Sequence, residues 1–79
     1  MKTTLDLIQL AGLGTNLVID AGTKTTLDLI QIAGVLKSKG AHLTLTNASI
    51  KTTLDLIQIS GACSGNLTLD FNDYKPKEK

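Results

Sequence analysis

The chain has 79 residues, of which 42% are hydrophobic and 19% charged, with a net charge of +1 and a single cysteine. One domain of this size buries only about 60–65% of its unfolded surface, and with Phe71 and Tyr74 as the sole aromatics its core must be built from Leu, Ile, Val and Ala. No basic stripe or aromatic platform is present for nucleic acid, Cys63 cannot form an internal disulfide or join a zinc cluster, and no run approaches the ~20 apolar residues of a membrane span.

The octapeptide KTTLDLIQ occurs three times without change, beginning at Lys2, Lys24 and Lys51. In the first copy Thr3 suits an N-cap and Asp6 falls at the third helical position, where a carboxylate also meets the positive end of the helix dipole. At 100° per residue Asp6 and Gln9 form a narrow polar stripe, while Leu5, Leu7, Ile8, Leu10 and Ala11 cover well over half the circumference. The pattern predicts a helix buried on most sides. The opening MKTTLDLIQLAGLG is broken by Asp6 and Gln9, a poor hydrophobic region for a signal peptide; a reducing cytoplasm is the expected location. Gly12 then reads as a helix end or a close approach to a sheet, and Gly14 as a left-handed residue leading into the first strand. There Leu17, Ile19 and Ala21 alternate with Val18 and Asp20, giving one buried and one polar face.

The second unit repeats the device with Thr25 and Asp28, but its helix is about one turn longer. From the first octapeptide leucine to the first strand leucine the separations are 12, 16 and 13 residues. The extra residues include Lys37 and Lys39, cations placed at a helix C-terminus before Gly40. The strand follows His42, with Leu43 and Leu45 opposing Thr44 and Thr46. In the third unit Thr52 and Asp55 start the helix, Gly61 matches Gly12 and Gly34, and Cys63 falls in the connection before Gly65. Leu67, Leu69 and Phe71 then oppose Thr68 and Asp70. Residues 73–79 contain the only proline and read as a polar tail.

Strands joined through helices lie parallel with right-handed crossovers. The expectation is therefore a single domain over 1–72 made of three helix–strand units (3–21, 25–47 and 52–71). It is a two-layer, right-handed α/β repeat: a three-stranded parallel sheet of order 1-2-3 with three helices on one face. A parallel β-helix with coils of similar length is the alternative. Units of this kind resemble leucine-rich repeats. Leu67-Thr68-Leu69-Asp70-Phe71-Asn72 matches the LxLxxN portion of that family's signature, with Gly22 and Ala48 standing where Asn72 does in the other units and the leading leucine absent. The resemblance is one of architecture over residues 3–72 and implies a binding or scaffolding role.

Old duplications drift, because many aliphatic combinations satisfy one core. Identity at eight positions, surface Lys, Asp and Gln included, points to an engineered or recently duplicated repeat protein. Catalytic chemistry finds little footing. The polar sheet face carries the rows Asp20–Thr46–Asp70 and Val18–Thr44–Thr68, in which two carboxylates flanking one strand stand about 9–10 Å apart. That is too wide for a retaining glycosidase pair, and a wet sheet does not raise a carboxyl pKa. His42 has no nucleophile placed beside it, Cys63 reads as a small apolar residue, and AGLGT ends a helix, whereas anions are held at helix N-termini. No enzymatic activity, cofactor or metal is expected. The edges of the sheet and the outer helix flanks remain open. A homodimer is expected through the strand edges and the helix flanks at Leu5, Leu10, Ile57 and Ile59; the second reading is a natural protein-interaction module that presents the face of Asp20, Thr46 and Asp70, or those flanks, to another protein.

Overall fold

Each octapeptide starts a helix in the computed structural model, which describes residues 2–72; the tail expected at 73–79 lies outside them. The helices are α1 (Thr4–Gly12), α2 (Thr26–Ser38) and α3 (Thr53–Cys63). The hydroxyls of Thr3, Thr25 and Thr52 accept hydrogen bonds from the backbone N–H groups of Asp6, Asp28 and Asp55 at 3.1, 3.2 and 3.1 Å. In α1 the box is closed from the other side, since the Thr3 N–H donates to Asp6 Oδ2 at 3.4 Å. At 13 residues against 9 and 11, α2 has the extra turn that the spacing required, with Lys37 in its last turn.

Chain reversal after the helices uses Gly14, Gly40 and Gly65, with φ of +81°, +69° and +93°. A side chain at such a φ is strained, which is why glycine stands there. The other three helix glycines do not mark a close approach to the sheet. A Cβ added at Gly12, Gly34 or Gly61 would meet nothing within 4 Å. Gly12 ends α1, whereas Gly34 and Gly61 lie on the exposed side of their helices.

The strands β1 (Leu17–Asp20), β2 (Leu43–Thr46) and β3 (Leu67–Leu69) form one parallel sheet in the order β1-β2-β3. Register aligns Leu17, Leu43 and Leu67 across the sheet, then Val18 with Thr44 and Thr68, and Ile19 with Leu45 and Leu69. The strands leave through short 3-10 turns, Ala21–Thr23 and Ala48–Ile50. Phe71, expected on the inner face of the third strand, lies beyond it and is exposed. The reason is local: Asp70 Oδ1 accepts from the Asn72 N–H at 2.8 Å, turning the chain before Phe71 can continue the alternation.

Leu17, Ile19, Leu43 and Leu45 form a single core cluster with Leu29, Ile32, Ala33, Leu36, Leu56, Ile59 and Cys63. The helices therefore cover one face of the sheet, and the middle unit is the best sheltered. Two expectations about burial change. The helices are not enclosed on most sides, because the first leucine of every octapeptide, Leu5, Leu27 and Leu54, is 64%, 64% and 63% exposed. A two-layer slab covers a helix beneath and on its flanks and leaves its outer surface in water. Ile59 is not on an open flank but wholly buried. Cys63 also belongs to the core: it is the last residue of α3, not part of a loop, and its thiol reaches Ala33 O at 3.8 Å.

Candidate functional site

The polar rows on the bare sheet face are present, and Asp20 and Asp70 at their ends are occupied in holding turns. Asp20 Oδ1 accepts from the Gly22 N–H at 2.8 Å and from Asn47 Nδ2 at 3.4 Å. Thr46 Oγ1 donates to Ile19 O at 3.5 Å. Asp70, aligned with Thr46 by its N–H to Leu45 O at 2.8 Å, starts the turn already described. Two strand spacings place the Asp20 and Asp70 backbones about 9–10 Å apart. His42 Nε2 shares a 2.7 Å hydrogen bond with Thr68 Oγ1 across the strands, and its own N–H donates to Asn16 Oδ1 at 2.8 Å. Cys63 is turned into the core, where burial raises the thiol pKa and so disfavours the nucleophilic thiolate. No group of three or more His, Cys, Asp or Glu among the described residues could hold a metal, and none of the described helices is long and apolar enough to cross a membrane.

What the chain does build carefully is the contact between successive units. Lys24 Nζ donates to Lys2 O at 2.8 Å and Lys51 Nζ donates to Lys24 O at 2.9 Å. The lysines of the second and third octapeptides thus each bond the backbone of the octapeptide before. Thr4 Oγ1 donates to Asp28 Oδ2 at 3.0 Å, a second link between α1 and α2. The strands repeat the arrangement: Leu17 N–H donates to His42 O at 3.1 Å and Leu43 N–H to Asn66 O at 3.0 Å. The lysine ladder is absent from the sequence reading. Its signal was there, in a lysine kept at the head of every copy where packing alone makes no demand.

Equivalent positions show which side of each unit faces which neighbour. Ile32 and Ile59 are fully buried, but Leu10 at the same position in α1 is 37% exposed, so this position faces the preceding unit. Ile8 and Ile30 are half-buried, but Ile57 is 61% exposed, so this one faces the following unit. Ala11 and Ala33 are buried where Ser60 is only half-buried, and it faces the same way. The residues left open are those with no neighbouring unit on that side among the described residues. At the last unit they line an open groove of about 500 Å³ that includes Lys51, Thr53, Ile57, Ser60 and Leu69. At the first unit Lys2, Asp6, Leu10 and Leu13 line a smaller groove of about 300 Å³. Of the residues expected to form an interface, Leu10 and Ile57 lie at these ends, Leu5 on the outer helix surface, Asp20, Thr46 and Asp70 at the ends of the strands, and Ile59 in the core. Comparison with protein-family profiles, curated proteins and solved structures finds no match to this chain.

Proposed function

We propose that the chain is a non-enzymatic α/β repeat scaffold that associates with itself, with a homodimer as its smallest assembly. One observation carries the reading: Leu10 and Ile57 are exposed at positions that are sheltered wherever a neighbouring unit is present. Repeat arrays normally finish in units with a polar outer face, since an unfinished end exposes the surface that stacking was meant to bury. Among the described residues at these positions, only Ser60, in place of Ala11 and Ala33, is a step in that direction. The threefold octapeptide supports an engineered or recently duplicated origin, and the helix–strand unit supports a leucine-rich-repeat-like scaffold at the level of architecture. A single buried thiol suits a reducing compartment.

The second reading, a natural interaction module presenting the sheet face or helix flanks to another protein, draws on Val18, which is 72% exposed on that face. The turn-forming roles of Asp20 and Asp70 leave fewer free polar groups there and favour the ends. Sedimentation velocity over a micromolar concentration series tests the proposal. A mass that climbs with concentration above the 8.3 kDa of one chain supports it; a single 8.3 kDa species throughout refutes it.

A further inference from the structure

We infer that self-association is head-to-tail: the last unit of one chain receives the first unit of a second copy through the same contacts that join units within the chain. This rests on the reading of the protein as self-associating and specifies its geometry. Three observations point to a second copy as the occupant of the end groove, and all are continuations of an interface already present.

The first is the lysine ladder. Lys2 O accepts from Lys24 and Lys24 O accepts from Lys51. The next acceptor in the series is Lys51 O, and the next donor is Lys2 Nζ of another chain. Lys51 lines the groove of the last unit and Lys2 that of the first. The second observation is the sheet. Leu17 and Leu43 donate their N–H groups toward the following strand, and by register Leu67 is the next in line. Because N–H groups alternate sides along a strand, the outer edge of β3 presents Leu67 and Leu69, while the outer edge of β1 presents Val18. These edges are complementary in the parallel sense, and neither contains Pro or Lys to block pairing. The third is side-chain fit. Ile57 and Ser60 stand where Ile30 and Ala33 stand in the middle unit, and Leu10 of a second copy would come to them as Ile59 comes to α2. Thr53 would meet Asp6 of that copy as Thr4 Oγ1 meets Asp28 Oδ2 within the chain. A contact between two different surfaces does not close on itself at two copies, so the dimer is the first member of a series that grows into a ring or a filament.

Complementary blocked variants test this. Leu10→Lys places a charge on the first end and Ile57→Lys on the last; both positions are exposed, and circular dichroism checks that each variant retains its helices. Head-to-tail contact predicts that wild-type protein passes beyond the dimer as concentration rises, that each variant alone stays at 8.3 kDa, and that an equimolar mixture forms a species of twice that mass and no larger. A second probe needs no blocked end: in a Cys63→Ala background, mixing Thr53→Cys with Asp6→Cys protein under mild oxidation should give the mixed disulfide in preference to either symmetric one. If Leu10→Lys or Ile57→Lys protein dimerises alone, or symmetric disulfides dominate, the contact is two-fold symmetric and the geometry is overturned while self-association stands. If wild-type protein is monomeric at every concentration, the groove being filled by residues 73–79 of the same chain or reserved for a different protein, both readings fall.

Discussion

The threefold octapeptide allows one substitution to be made in identical local sequence at different depths, and the contrast between Leu27 and Leu29 is the sharpest such test. Both lie in the first turns of α2 within the same TLDLIQ string, yet Leu27 is 64% exposed and Leu29 is wholly buried between the flanking helices and the sheet. Leu29→Ala removes a side chain whose burial contributes about 1.5–3 kcal/mol and leaves a cavity besides, a total cost of about 2–5 kcal/mol. Marginal stability of roughly 0.05–0.15 kcal/mol per residue gives a chain of this length about 4–12 kcal/mol in all, so the variant loses a large share of it. Leu27→Ala gives up little burial and gains slightly in helix propensity, for a net change within about 0.5 kcal/mol. Urea denaturation followed at the helical circular dichroism band reads both as midpoint shifts at constant slope. Equal shifts for the two variants, or a larger one for Leu27→Ala, would show that the helix is rotated from the orientation described and would remove the basis for assigning sides to the units.

Thr25→Ala deletes the hydroxyl that accepts from the Asp28 N–H at 3.2 Å and should cost about 1 kcal/mol, with Thr25→Ser restoring most of it in the same denaturation assay. Gly40→Ala, at φ +69°, should destabilise by about 1 kcal/mol through backbone strain, whereas Gly34→Ala, in open helical space, should stabilise by about 0.5–1 kcal/mol. Cys63 should resist a thiol reagent in native buffer and react at once in urea. Burial raises its pKa from the usual 9.0, so the folded state keeps a proton that the unfolded chain releases. Its contribution is therefore intact below about pH 9 and falls as pH rises from there toward the higher folded value, a loss that Cys63→Ala protein should not show.

Much of this fold is legible in the sequence because its local signals agree. Threonine caps, a carboxylate in the first turn, left-handed glycines and clean two-residue alternation in NLVIDA and HLTLTN each specify one element, and the near-constant spacing from strand to helix specifies parallel order. What escaped reading depends on neighbours instead of periodicity. Helical periodicity shows that Leu5, Leu7, Ile8 and Leu10 cover a wide arc, but which part of that arc meets protein is decided by how many layers the domain has, and two layers leave Leu27 in water. Ile59 and Leu10 occupy the same position of the unit, yet Ile59 packs with a described unit before it and Leu10 does not, a distinction that helical periodicity does not contain. Phe71 was lost to an Asx turn whose donor, the Asn72 N–H, is two residues downstream of the aspartate.

The ladder of lysines bears on why the repeated string is so constant at positions that packing does not fix. Lys24 and Lys51 each place a charge on a backbone carbonyl of the preceding unit, a charge-assisted bond worth more than a neutral one, and Asp28 both receives Thr4 Oγ1 and closes the cap of its own helix through its N–H. Lysine and aspartate in this string are therefore interface residues as well as surface residues. Within the chain, donor and acceptor of the unit-to-unit bond are contained in the same few residues of the repeated string. Identity among the copies then has a physical consequence whatever its origin: the same lysine-to-carbonyl bond joins the first unit to the second and the second to the third, and on the head-to-tail proposal it would also join the last unit of one chain to the first of another.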